Sequence, residues 1–142
     1  MNQNYKNHAR LVTGFHMVLG TLLLAGLLGS IVNLIKSLNN ESLYSASLVL
    51  LLFICLSILC WYARIFPLKA QDRAIRAEEN FRHFILIGKP LPDGLHISQI
   101  IALRFAADEE FPDLVQRALK DQLSAKSIKQ AIKIWKPDYH RV

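Results

Sequence analysis

LVTGFHMVLGTLLLAGLLGSIVNLI, residues 11–35, contains no Asp, Glu, Lys or Arg. As an α-helix rising about 1.5 Å per residue it reaches about 37 Å, more than the roughly 30 Å hydrocarbon core of a bilayer. A second uncharged run, LYSASLVLLLFICLSILCWYA at residues 43–63, reaches about 31 Å. Both runs are long enough to span. The chain of 142 residues is 52% hydrophobic with a mean hydropathy of +0.24, and these two runs hold the excess. A soluble helical protein would have to cover both on every side, and too little amphipathic chain remains to do so. The first run is also much longer than the apolar region of a cleaved signal peptide, so it reads as a retained anchor.

The connection KSLNNES, residues 36–42, is short enough to force the two spans into an antiparallel hairpin. Charge placement orients it. Lys6 and Arg10 precede the first span, Lys36 lies in the connection beside Glu41, and Arg64, Lys69, Arg73, Arg76 and Arg82 follow the second. By the positive-inside rule both termini are expected in the cytoplasm, with the connection outside. Asn40-Glu41-Ser42 matches a glycosylation acceptor, which this close to the bilayer reads as a chance match.

On a helical wheel Ala25, Gly26, Gly29, Ser30 and Asn33 gather on one side of span one, opposite Leu24, Leu27, Leu28, Ile31, Leu34 and Ile35. Small residues let helix backbones approach, and an Asn at that depth wants a hydrogen-bonding partner. That face is expected to pack on protein: on the second span, on another copy, or on a different membrane protein. In span two, Ala46, Leu50, Phe53, Ser57, Cys60 and Arg64 alternate spacings of four and three and form a candidate seam. Cys55 and Cys60 lie about 140° apart on a helix and cannot bridge within it, so they read as small packing residues.

Pro67 suits the first turn of a new helix that runs to Ile87 and stops at Gly88. Ala70, Ala74, Ala77, Phe81 and Phe84 form a narrow stripe along it, and Asp72 with Arg76 and Glu78 with Arg82 place acid four residues before base. KPLPDG, residues 89–94, is a turn leading into a compact tail. Three short helices are expected there. The first holds Ile97, Ile100, Ile101 and Phe105, and the second starts at Asp108-Glu109-Glu110 with Phe111, Leu114, Val115, Ala118 and Leu119 inside. The third is capped by Ser124, holds Ile128, Ala131, Ile132 and Trp135 inside, and ends at Pro137. The division is therefore residues 1–66 for the arm and hairpin, 67–88 for a charged juxtamembrane helix, and 89–142 for the tail.

No constellation carries a recognisable chemistry. His8, His16, His83, His96 and His140 are scattered, with no pair at ligand spacing, so no metal and no cofactor is expected. His16 is an ionisable group inside a span, but neither span holds an acid to relay a proton to; an imidazole bonded to a neighbour is the simpler reading. Asp108-Glu109-Glu110 reads as acids at a helix start, favoured by the dipole, and there is no Walker loop or Ser-His-Asp arrangement. Lys126, Lys129, Lys133 and Lys136 line one side of the expected last helix. A solvated face of a small helical bundle is the plain reading; anionic lipid headgroups are a second contact for such a face, and nucleic acid, read by a basic third helix, is a third.

At FPLKAQDRAIRAEENFRHF, ALRFAADEEF and IKQAIKIWKPDYHRV the chain resembles a family of short bacterial two-span membrane proteins of unknown function. The resemblance covers nearly the whole chain. It implies two spans, a cytoplasmic helical tail and a bacterial source, which places the expected protein in the bacterial cytoplasmic membrane, and it transfers no site residue. The expectation is an all-α integral membrane hairpin with a cytoplasmic tail, acting as a non-enzymatic scaffold or accessory subunit. It would pack through the small face of span one on a membrane protein partner or on itself. A tethered nucleic-acid binder is the alternative, and a small enzyme completed by a partner is a third reading.

Overall fold

The computed structural model describes residues 4–5 and 12–138. Lys6, His8, Arg10 and His140 lie outside the described residues. Among the described residues every named element is helical, in the order of a π-helical segment Gly14–Leu19, α1 (Gly20–Lys36), α2 (Leu43–Ile87), α3 (Ile97–Leu103), α4 (Phe111–Lys120) and α5 (Ala125–Ala131). The described residues fall into two compact units, one within residues 12–66 and the other containing residues 67–138. Their boundary falls inside α2, at Pro67.

Gly14–Lys36 and Leu43–Ile87 are long and apolar enough to cross a membrane, with mean hydropathies of 2.2 and 2.5 in their richest stretches. In the unit of residues 11–66, Ser37 to Ser42 turn the chain through Asn40 N–H to Ser37 O (3.1 Å) and Leu43 N–H to Asn40 O (3.1 Å). The contact between the two apolar helices is narrow. From Tyr44 to Arg64 the positions that lose exposure are Ala46, Leu50, Phe53, Ser57, Cys60 and Arg64, the seam expected from the spacing. The Phe53 ring lies over Gly26 so closely that a Cβ there would clash with it. Ser30 and Ser57 satisfy their hydroxyls within their own helices, on Leu27 O and Phe53 O, each at 2.7 Å, which keeps polar atoms in apolar surroundings paired.

Where a new helix was expected to start at Pro67, α2 continues through it. The missing N–H leaves the Ala63 carbonyl without its usual i+4 donor, a local cost that does not end the helix. Its end at Ile87 is the expected one: Gly88 takes φ +74°, which disfavours any side chain.

In the unit that contains residues 67–138, the core gathers Ile75, Leu95, Ile100, Leu103, Phe111, Leu114, Val115 and Ile128. Phe111, Leu114, Val115 and Ala118 are buried at i, i+3, i+4 and i+7, the single face expected of α4. The helix begins at Phe111, with Pro112 in its first turn and Glu110 at the cap, so Asp108 and Glu109 lie in the turn before it. Gln99 ties α3 at both sides: its Oε1 accepts from His96 N–H at 2.7 Å and its Nε2 donates to Leu123 O at 2.9 Å. Ser124 caps α5 as its sequence position suggests, accepting from Ser127 N–H at 3.1 Å.

The face that α2 turns to this core differs from the expected stripe. Ile75, Glu79 and His83, at i, i+4 and i+8, are buried, whereas Phe81 and Phe84 are 66% and 53% exposed. Two groups on the helix hold the following turn. His83 Nδ1 donates to Lys89 O at 2.7 Å, and Asn80 Oδ1 accepts from Leu91 N–H at 2.8 Å. Those bonds need the polar side inward, and the aromatic side is left out.

The last helix is also shorter than expected. It ends at Ala131, and the chain continues extended to form a single antiparallel bridge between Ala106 and Trp135. Glu110 accepts from Lys133 N–H (3.1 Å) and Ile134 N–H (3.0 Å), and Phe105 O accepts from Lys136 N–H at 2.7 Å. These acceptors take the N–H groups that a continuing helix would have used.

Candidate functional site

Charge rather than catalytic chemistry marks the helical unit that includes residues 67–138. Arg82, near the end of α2, is its centre. Its Nη1 meets Glu79 Oε2 at 3.0 Å, its Nε and Nη2 both meet Asp108 Oδ1 at 2.6 Å, and Nη2 also donates to Ala106 O at 2.7 Å. The guanidinium carbon lies 4.2 Å from the centre of the Phe111 ring, a cation–π contact. Arg82 therefore fastens the end of α2 to the turn between α3 and α4. The pair expected with Glu78 is replaced by Glu79 and Asp108, because Glu79 lies on the buried face and Glu78 does not.

Burial pushes the Glu79 carboxyl above its ordinary value, against the pull of Arg82 and, more weakly, of Lys136. Glu79 lines a cleft of about 340 Å³ shared with Gln71, Ile75, Glu78, Arg104, Lys136 and Asp138. Arg104 crosses it to Asp138 at 3.1 Å and lies over the Phe105 ring at 4.8 Å. Trp135 stacks on that same Phe105 ring, with centroids 4.8 Å apart at 19°. The cleft thus carries its own counter-charges, and no Ser, Thr or Cys lines it. Among the described residues no three His, Cys, Asp or Glu side chains are grouped to hold a metal ion.

The small residues of α1 are split. Gly26 is covered by Phe53 and Ser30 is buried, while Ala25, Gly29 and Asn33 are exposed, and a Cβ at Gly29 would meet nothing within 4 Å. The lysines divide as well. Lys126 and Lys129 lie on α5, with Lys129 Nζ 5.6 Å from the Phe105 ring centre, whereas Lys133 and Lys136 lie on the extended segment after it. The single basic helix face is therefore corrected to two short groups, for the same reason that α5 stops at Ala131. His16 sits in the π-helical segment and its Nδ1 lies 3.0 Å from Val12 O, so that nitrogen carries the proton.

Sequence reading missed Glu79, Arg104 and the partnership of Arg82 with Asp108. The spacing of Ile75, Glu79 and His83 is a helical face in plain view, but a face with two ionisable groups does not announce itself as buried.

These features define an all-helical protein with two helices long and apolar enough to cross a membrane and a small helical unit built around internal ion pairs. Across residues 1–142 the sequence matches the model of the family of unknown function DUF6526, and the chain belongs to that family. No curated protein and no solved structure matches it.

Proposed function

We propose that this is a non-enzymatic accessory or scaffold protein of the bacterial cytoplasmic membrane, with both termini in the cytoplasm and a membrane protein or a second copy as its partner. The observation that carries the reading is the open half of the small-residue face. Gly26 is used by Phe53, yet Ala25, Gly29 and Asn33 are exposed one turn apart, and Asn33 makes no side-chain hydrogen bond among the described residues. An unpaired carboxamide facing lipid is costly, and small neighbours permit the close helix approach that would pair it. Phe81, Phe84 and Ile85, all more than half exposed, add an apolar surface of the kind that partners cover. The bacterial membrane follows from the resemblance carried by the three strings, and the orientation from the distribution of Lys and Arg around the spans.

The test is cross-linking in membranes. A cysteine at Asn33, in a chain lacking Cys55 and Cys60, should form a covalent adduct with a copy or a distinct protein, and Gly29→Leu should abolish it. A Leu24→Ala change on another face should leave it intact. Equal effects of Gly29→Leu and Leu24→Ala would remove the assignment of that face. For orientation, a cysteine at the exposed Glu41 should react with an impermeant thiol reagent in intact cells, and one at the exposed Asp113 should not.

A further inference from the structure

A second cavity in this unit is lined by other residues of α2 than those that line the charged cleft. It holds about 450 Å³ and is lined by Arg73, Arg76 and Asn80 from α2, by Leu91 to Leu95, and by Ile100. Its volume is within the range of small-molecule sites, about 300–1,000 Å³. The floor is apolar and fixed, since Leu95 and Ile100 are 6% and 3% exposed members of the core.

The polar groups converge from one helix. Arg73, Arg76 and Asn80 step by three and four residues, so they share a face. Arg73 has no ion pair among the described residues, and the one hydrogen bond of Arg76 reaches Leu95 O at the outer limit of 3.5 Å. Asn80 is oriented by its other job: because Oδ1 accepts from Leu91 N–H at 2.8 Å, its Nδ2 group remains as a donor. Asp93 is the one acid in the lining, so the two guanidinium groups leave a net positive charge. By contrast, the 340 Å³ cleft holds Glu78, Glu79 and Asp138 against Arg104 and Lys136 and has no charge left to offer an anion.

We propose that this cavity binds a phosphate-headed amphiphile, with the phosphate on Arg73, Arg76 and the Asn80 amide and the first methylenes over Leu91, Leu95 and Ile100. Guanidinium groups present forked donors that match phosphate oxygens, and the amide supplies a further donor. The apolar floor distinguishes such a ligand from free phosphate. The space accommodates a headgroup and the start of a chain, and the mouth leaves the rest of the chain outside. The ligand is either a membrane lipid or a soluble phosphate amphiphile, both of which carry the recognised chemistry.

The experiment uses the full chain. Dihexanoyl phosphatidic acid below its micelle concentration, added to protein in neutral detergent, tests the soluble source. Native mass spectrometry of protein released from phosphatidylglycerol/phosphatidylcholine nanodiscs tests the membrane source. Saturable binding in the first arm, selective retention of the anionic lipid in the second, or both, is the expected result; neither would overturn the proposal. Inorganic phosphate should bind at least tenfold more weakly than the short-chain lipid, and equal binding would remove the apolar floor from the site. Asn80→Asp keeps the acceptor for Leu91 N–H while replacing the donor with a negative charge, so it should weaken binding at least tenfold with an unchanged melting temperature. Arg73→Gln/Arg76→Gln, at two exposed positions, should abolish binding, and Asp93→Asn should strengthen it. The charge-matched pair Arg117→Gln/Lys120→Gln should leave it unchanged; a loss equal to that of the Arg73/Arg76 pair would reduce the effect to general attraction and sink the assignment.

Discussion

Arg82 and Asp108, 26 positions apart in sequence, meet at 2.6 Å through both Nε and Nη2 of the guanidinium. The two ends of this contact are unequal. The Arg82 side chain is 11% exposed and also serves Glu79 and the Ala106 carbonyl, whereas the Asp108 side chain is 60% exposed. Removing the arginine strands a buried carboxylate and a carbonyl; removing the aspartate takes the acceptor from the Arg82 Nε–H but leaves the guanidinium its bonds to Glu79 and Ala106 O.

Arg82→Ala is therefore expected to destabilise the protein by about 3 kcal/mol, in line with a broken buried pair. Asp108→Ala should cost less than about 1 kcal/mol, as an exposed partner. Urea titration of both variants in detergent, followed by circular dichroism, checks the order. Equal losses would show that the Asp108 contact, not the Glu79 contact, holds α2 in place.

Glu79 gives a pH dependence whose sign is set by its raised value. The folded state holds the proton more tightly than the unfolded state, so this group's contribution is full below the ordinary value of 4.5 and is lost as pH rises through the higher folded value. Stability should decline across that window in the natural chain. Glu79→Gln should flatten the decline, because the amide cannot ionise. Melting temperatures measured at half-unit pH steps decide the matter, and an identical slope in the variant would assign the effect to another group.

The segment after α5 is held by Glu110, whose two oxygens take the N–H groups of Lys133 and Ile134. Glu110→Ala should free both and speed amide hydrogen exchange in residues 132–138 while leaving α4 protected. Glu110→Gln retains one acceptor oxygen and should show about half the effect. Unchanged exchange in the Ala variant would mean that the Phe105 carbonyl and the Trp135 stacking suffice alone.

Gly26 and Phe53 offer a test of the hairpin. Because the ring occupies the space a Cβ would take, Gly26→Ala must displace Phe53, at an expected cost of about 1–3 kcal/mol for overpacking. Phe53→Leu should relieve it, so the double variant should be more stable than the sum of the single changes predicts. Strict additivity in thermal melts would place the ring elsewhere. Gly29→Ala, with open space around it within the chain, should be neutral or mildly stabilising by the same measure in the chain separated from its partner.

Much of this architecture follows from local sequence. Residues 11–35 and 43–63 lack charge over lengths that only a helix can present to an apolar medium with its backbone satisfied. The seam from Ala46 to Arg64, the buried side of α4, the stop at Gly88 and the cap at Ser124 each depend on spacing or on one residue's backbone preference. Such signals act within a few residues, so they can be read along the chain.

Other features depended on groups far away in sequence. The Ala70 to Phe84 stripe is as regular as the Ile75, Glu79, His83 face, and nothing local ranks the second above the first. The ranking comes from Lys89 O, Asp108 and Ala106 O, which satisfy His83 and Arg82 and, through Arg82, Glu79, and so make a polar face the one that is buried. The pattern of residues 125–136 is helical to its end, yet Glu110 and Phe105 O compete for the N–H groups of Lys133, Ile134 and Lys136 and stop α5 at Ala131. Local sequence determined where helices form in this protein. Tertiary structure decided which face each one buries and where the last one ends, because a hydrogen bond to a distant acceptor satisfies an N–H as well as the helix does.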